Sequence, residues 1–68
     1  MRTEIYEADP FTSRKTASIT TIDTDYRFEK GDEFVVDKDG HTNAWRVIQV
    51  RVILSGNTLR REIAAMRI

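Results

Sequence analysis

Read for hydrophobic alternation, the chain offers five stretches with the period of two that a half-buried strand requires. They cover about Arg2–Ala8, Thr16–Ile22, Glu33–Asp37, Ala44–Leu54 and Thr58–Arg67. Turn residues separate them. Asp9-Pro10 closes the first, because Pro10 has no N–H to give a ladder and biases Asp9 toward an extended or turn conformation. Asp23–Asp25 turns the chain after the second, whose Thr-Ala-Ser-Ile-Thr-Thr-Ile run is poor helix material. Tyr26-Arg27-Phe28 alternates briefly, and Lys30-Gly31-Asp32 then leads into the third strand, with the aspartate placed to cap the backbone before pairing begins.

Two of the connections fix a register. Gly56-Asn57 reads as a two-residue hairpin loop. It sets Leu54 against Leu59, Val50 against Ile63 and Arg51 against Glu62. A slip of one residue would put Arg51 beside Arg61 and Val50 beside Glu62, both unfavourable neighbours. Asp39-Gly40 acts likewise for the preceding hairpin and sets Phe34 against Trp45 and Glu33 against Arg46. Two independent turns giving sensible pairs support a meander of the last three strands.

Unbroken alternation through these registers sorts the side chains onto two faces. One collects Val35, Ala44, Ile48, Val50, Val52, Leu54, Leu59, Ile63 and Ala65, the natural core face. The other carries Phe34, Val36, Trp45, Val47, Ile53, Ala64, Met66 and Ile68, interrupted by Gln49, Arg51 and Glu62. A sheet with one solvated face should be polar there. The Phe34/Trp45 end is not, so something is expected to cover it: the N-terminal strands, a terminal helix, or a second polypeptide. As an interaction patch it would comprise Phe34, Val36, Trp45, Arg46 and Val47, of which Trp and Arg are residue types enriched at interface hot spots. Against the fifth strand stands one rival. Leu59, Ile63 and Met66 also have helical spacing, with Asn57 or Thr58 as a cap, which would make residues 58–67 a C-terminal helix and the fold α+β.

Composition narrows the class. Sixty-eight residues form one small domain, 1–68, which at this size buries only about 60% of its unfolded surface. No cysteine is present, so no disulfide staples the core, and the absence fits a cytoplasmic setting. No apolar run approaches the roughly 20 residues of a membrane span, and the start lacks the apolar region of a signal peptide. Eleven basic and eleven acidic residues cancel, but unevenly along the chain. Residues 1–41 hold six Lys/Arg and ten Asp/Glu, whereas residues 42–68 hold five Arg and only Glu62. A nucleic-acid interface built on that basic end would use Arg27, Arg46, Arg51, Arg60 and Arg61, with Tyr26, Phe28 and Trp45 as stacking platforms. Zero net charge weighs against it.

Catalytic chemistry is not visible. The single histidine, His41, falls in a turn, and Ser13, Ser18 and Ser55 have no local base beside them. Asp23, Asp25, Asp37 and Asp39 flank turns, where aspartate is favoured for its bonds to the backbone. Asp37-Lys38-Asp39-Gly40-His41 departs from a calcium loop because the glycine comes too early and no later glutamate completes it. The three glycines are solitary, so no phosphate-cradling loop exists. The tract Tyr26–Val36, an aromatic followed by Gly-Asp and an apolar strand, is common in small barrels and names no family.

The sequence therefore predicts an all-β fold: a small five-stranded antiparallel meander, either SH3-like or a partly open barrel. An OB-like barrel stands behind it. The expected function is a non-catalytic protein-interaction module, a small accessory or inhibitory protein that binds a protein partner or itself as a homodimer. The alternative is a nucleic-acid-binding barrel using the Arg-rich C-terminal hairpin. No cofactor, metal, membrane or small-molecule substrate is expected.

Overall fold

Each of the five predicted strands forms, whereas Tyr26-Arg27-Phe28 lies in the crossover. The computed structural model describes all 68 residues, Met1–Ile68. Its strands are β1 (Arg2–Ala8), β2 (Lys15–Asp23), β3 (Glu33–Lys38), β4 (His41–Ser55) and β5 (Thr58–Arg67). Residues 58–67 are thus a strand, and the helical alternative falls. The hairpin register Arg51 to Glu62 accounts for the charges of this segment, which a helix would have left unmatched.

The strands form one sheet in the order β2-β1-β5-β4-β3, curled into a half-barrel. The meander β3-β4-β5 is antiparallel with the expected partners: Phe34 opposite Trp45, Glu33 opposite Arg46, Leu54 opposite Leu59 and Val50 opposite Ile63. β1 and β2 form a second antiparallel hairpin. The two hairpin systems meet where β1 runs parallel to β5, with Ile5 beside Ile63 and Tyr6 beside Ala64. That parallel pair is the one departure from an all-antiparallel order. It requires the chain to travel from one edge of the sheet to the other, and residues 24–32 make this crossing.

The turns are built as their residues demand. Asp39 and Gly40 both have positive φ, 54° and 78°, the geometry that matches a tight hairpin to the twist of its strands. Gly56, at φ 60°, opens the β4–β5 loop. Asp9 accepts backbone bonds from Phe11 at 2.8 Å and Thr12 at 3.3 Å, and so closes β1. Asp32 accepts from the Glu29 N–H at 2.8 Å, which is the cap expected before β3.

The faces differ from those drawn by unbroken alternation, because β4 carries a bulge. Val47 lies opposite Ala65 but Gln49 lies opposite Ala64, so Ile48 is an extra residue and the phase of the strand shifts there. Trp45 and Val47 consequently share a face with Val50, Ile63 and Ala65. This inner face holds the principal core of Ile5, Val47 and Ile63, against which Ile19, Phe28, Phe34 and Val50 pack. Val35, Ala44 and Ile48 turn to the outer face, where Ile48 joins a small cluster of Tyr6, Ala8 and Ala64. The expected conflict of two apolar faces is thereby removed. The Phe34/Trp45 end is the core itself, covered from within the chain by β2 and the crossover.

The crossover is clamped by Arg61, which is only 7% exposed. Its guanidinium donates to the Thr3 hydroxyl from Nε and Nη2, at 3.1 and 3.0 Å, and from Nη2 to the Thr24 carbonyl at 3.2 Å. It also lies over the Phe28 ring at 5.3 Å. Phe28 in turn meets Tyr26 and Phe34 edge-on, with centroids 4.8 and 6.1 Å away.

Candidate interaction surface

The residues expected to form a partner patch are divided between the two faces. Trp45 and Val47 are core, 4% and 1% exposed, so neither offers a free surface. The bulge explains the correction: it rotates both side chains inward. Phe34 is half-buried against Phe28. Arg46 points outward and pairs with Glu33 at 2.8 Å. Val36 lines a cleft of about 410 Å³ where the half-barrel fails to close. Ala17, Ser18 and Ile19 of β2 line one side of it and Val36 and Lys38 of β3 the other, with Trp45 between. Arg67 lies 5.1 Å from the centroid of that indole, and the indole N–H has no hydrogen-bond partner.

The arginines of the nucleic-acid alternative are also dispersed. Arg61 is inside the molecule, bound to Thr3 and Thr24. Arg60 bonds Glu62 at 3.2 Å, and Arg51 stands opposite the same glutamate. Arg46 is held by Glu33, while Arg27 is exposed in the crossover. Of the five arginines at the basic end, Arg46 and Arg60 are paired with carboxylates and Arg61 serves the core.

His41 begins β4 and is exposed beside the Asp39-Gly40 turn. No three of the histidine and carboxylate side chains converge as a metal site would require. The two groups with displaced titration lie elsewhere. The Met1 amino group bonds Asp23 at 2.9 Å and Asp25 at 3.1 Å, and these bonds raise its pKa above the ordinary value. The same bond to the amino group holds the Asp23 carboxyl below its usual value.

One feature escaped the sequence reading. β3 pairs only with His41–Arg46, and the chain before it reaches one step further: Gly31 donates to the Val47 carbonyl and Val47 to the Asp32 carbonyl, both at 2.8 Å. Beyond Val47, β4 continues to Ser55 with β5 on one side and no strand on the other. From Ile48 to Ser55 the strand overhangs its neighbour and presents an open edge. Its inner face there carries Val52 and Leu54, 55% and 67% exposed, with Leu59 exposed opposite Leu54. Where the edge opens, Ile48, Gln49 and Val50 border a recess of about 860 Å³ whose other walls include Arg27, Phe28, Glu29 and Lys30. The signal was present as a mismatch in length. A five-residue third strand cannot cover an eleven-residue fourth.

Strand order, bulge and overhanging hairpin together define a small all-β half-barrel with one unprotected edge. No family model matches the chain, and neither a curated protein nor a solved structure does.

Proposed function

We propose that this chain is a non-catalytic protein-interaction module, and that it binds through the β4–β5 hairpin. The observation that carries this reading is the unpaired edge of β4 from Ile48 to Ser55. Natural sheets blunt free edges with short strands, charges, proline or bulges, because a row of unpaired N–H and C=O groups invites another strand. β3 is such a blunted edge, six residues long with Glu33, Asp37 and Lys38. β2 is blunted by the register shifts in its pairing with β1 and by charges at both ends, Lys15 and Asp23. The overhang of β4 has the bulge at its start and Arg51 as its single charge, and beyond that arginine Val52 and Leu54 are exposed. Such an edge suits recognition by strand addition, in which main-chain bonds supply affinity and alternate side chains supply specificity.

The cytoplasm is the compartment we assign, since a cysteine-free chain of this size has no use for an oxidising one. No helix in the chain is long and apolar enough to cross a membrane. The internal neutralisation of Arg46 and Arg60 supports a protein partner over a nucleic acid.

The test is Val52→Pro. Proline on an edge strand is tolerated where the lost N–H faced solvent, as it does here, so the domain should keep its β-type far-UV spectrum. Co-purification from the native host should then lose the partner that the wild-type chain retains. A folded variant that keeps its partner would overturn the assignment of this edge.

A further inference from the structure

We infer that the strand completing the β4 edge is β4 of a second copy of this chain, paired antiparallel about a twofold axis at Val52. The inference rests on the preceding reading of the hairpin as the interaction surface and names its occupant.

The phase of the backbone selects the residues that can pair. In a two-residue hairpin the closing residues, here Ser55 and Thr58, turn their peptide groups toward each other. Peptide groups alternate along a strand. Ser55, Ile53 and Arg51 therefore bond β5, and Leu54, Val52 and Val50 turn theirs outward. An incoming strand must present outward groups of its own, so in a symmetric pair these three residues meet one another. Registers centred on Arg51, Val52 or Ile53 bring outward residues together over the longest overlaps, and only the one on Val52 pairs all three among themselves.

The side chains choose among them. Centring the axis on Arg51 would set two arginines directly opposite, which is destabilising. Centring it on Ile53 shortens the overlap and drives the second copy's Gly56 turn against Val50. Centring it on Val52 pairs Val52 with itself, Val50 with Leu54, Arg51 with Ile53 and Gln49 with Ser55. No like charges face, and the whole overhang from the bulge to the hairpin tip is used. In this register each tip, Ser55-Gly56, arrives at the recess beside Ile48–Val50. The twofold operation also closes the assembly at two copies, because it leaves no β4 edge free.

Area points the same way. The chain exposes 5009 Å², whereas a folded monomer of 7.9 kDa is expected to expose about 4,400 Å². The apolar part of that surplus on this hairpin is Val52, Leu54 and Leu59, 55%, 67% and 47% exposed, which a second copy laid along β4 would cover.

Sedimentation velocity on the purified chain over a wide concentration series should show a dimer. Val52→Glu and Val52→Lys place like charges side by side on the axis, so each alone should be monomeric with an unchanged far-UV spectrum. Their equimolar mixture should form a dimer again. A readout that leaves the edge intact comes from single cysteines in this cysteine-free chain. Val52→Cys should cross-link rapidly on mild oxidation, since facing Cα atoms in such a pair lie about 5.5 Å apart, within disulfide reach. Leu54→Cys should not, its counterpart being about 13 Å along the strand. A wild-type chain that stays monomeric throughout would overturn this inference and leave the strand-addition reading to Val52→Pro. A dimer that persists in both charge variants, or cross-links at Leu54 in preference to Val52, would overturn the register.

Discussion

The guanidinium of Arg61 and the hydroxyl of Thr3, 58 residues apart in sequence, are joined by two hydrogen bonds of 3.1 and 3.0 Å inside the molecule. Thr3 is fully buried, and its hydroxyl has its own proton engaged with the Met1 carbonyl at 3.2 Å. No carboxylate bonds the arginine here. The hydroxyl, the Thr24 carbonyl and the Phe28 ring replace the water that the charge has given up. Thr3→Val keeps the shape and removes the acceptor. It should cost about 1–3 kcal/mol, the penalty for leaving a buried donor without its partner. In a domain of this size each kcal/mol lowers the midpoint of thermal unfolding by about 4–8 °C. Adding Arg61→Met removes the orphaned charge and should recover part of the loss, which urea unfolding of the two single variants and the double would show. A double variant whose loss equals the sum of the singles would mean the pair is not coupled.

Trp45 is predicted to behave as core. Trp45→Ala should cost about 3–5 kcal/mol, which is most of what a domain with ten buried residues can lose, and the variant should be unfolded at room temperature. Trp45→Phe sacrifices no hydrogen bond, because the indole N–H has none. It should remain folded with a modest drop in midpoint. Circular dichroism distinguishes the two. A Trp45→Ala chain that stayed folded would restore the indole to the surface.

The N-terminal pin gives a pH dependence of determinate sign. The amino group is raised above its ordinary 8.0, chiefly by its bond to Asp23 and then to Asp25. Its share of stability is therefore complete below that pH and lost as pH rises through the displaced value. Asp23 is lowered from 3.8 by the bond to the amino group, so its share is present above that pH and lost as pH falls through the displaced value. The difference in thermal midpoint between wild type and Asp23→Asn should be greatest near neutrality and shrink at both extremes. Both groups are solvated, so the difference should be small and decrease with added salt. A difference that grew on acidification would reverse the assignment.

How much of this was legible in the sequence can be traced to particular residues. Strand positions and hairpin partners were, because turns at Asp39-Gly40 and Gly56-Asn57 fix registers locally and the pairs across them share chemistry. The parallel β1–β5 pair was not, since Ile5 and Ile63 are 58 residues apart and the crossover that lets their strands meet touches β5 through Arg61 at the Thr24 carbonyl and the Phe28 ring. Ile48 accounts for the mislaid interaction patch. A single extra residue leaves pairing chemistry on each side of it plausible while exchanging inside for outside. The clue lay in the result: alternation carried through residue 48 produced a sheet apolar on both faces, and a bulge is the smallest change that removes that conflict. The overhang of β4, by contrast, could be counted from the predicted strand lengths, but only the fold shows that no other strand pairs with it.

The bulge can be tested directly, because unbroken alternation and the observed phase make opposite predictions at two valines. With continuous alternation Val35 would be core and Val47 would lie on the other face. With the bulge, Val47 is sealed beside Ile5 and Ile63, and Val35 is exposed on the outer face. The absence of cysteine makes each position addressable by one substitution. Val35→Cys should react with a thiol reagent at nearly the rate of a free peptide. Val47→Cys should be protected until the domain opens, and denaturant should abolish the difference between them. A cysteine in place of valine removes little volume, so both variants should fold. Faster labelling at residue 47 than at residue 35 in the native state would mean that β4 runs without its bulge. Val50 would then no longer share a face with Trp45, and the inner core would have to be redrawn.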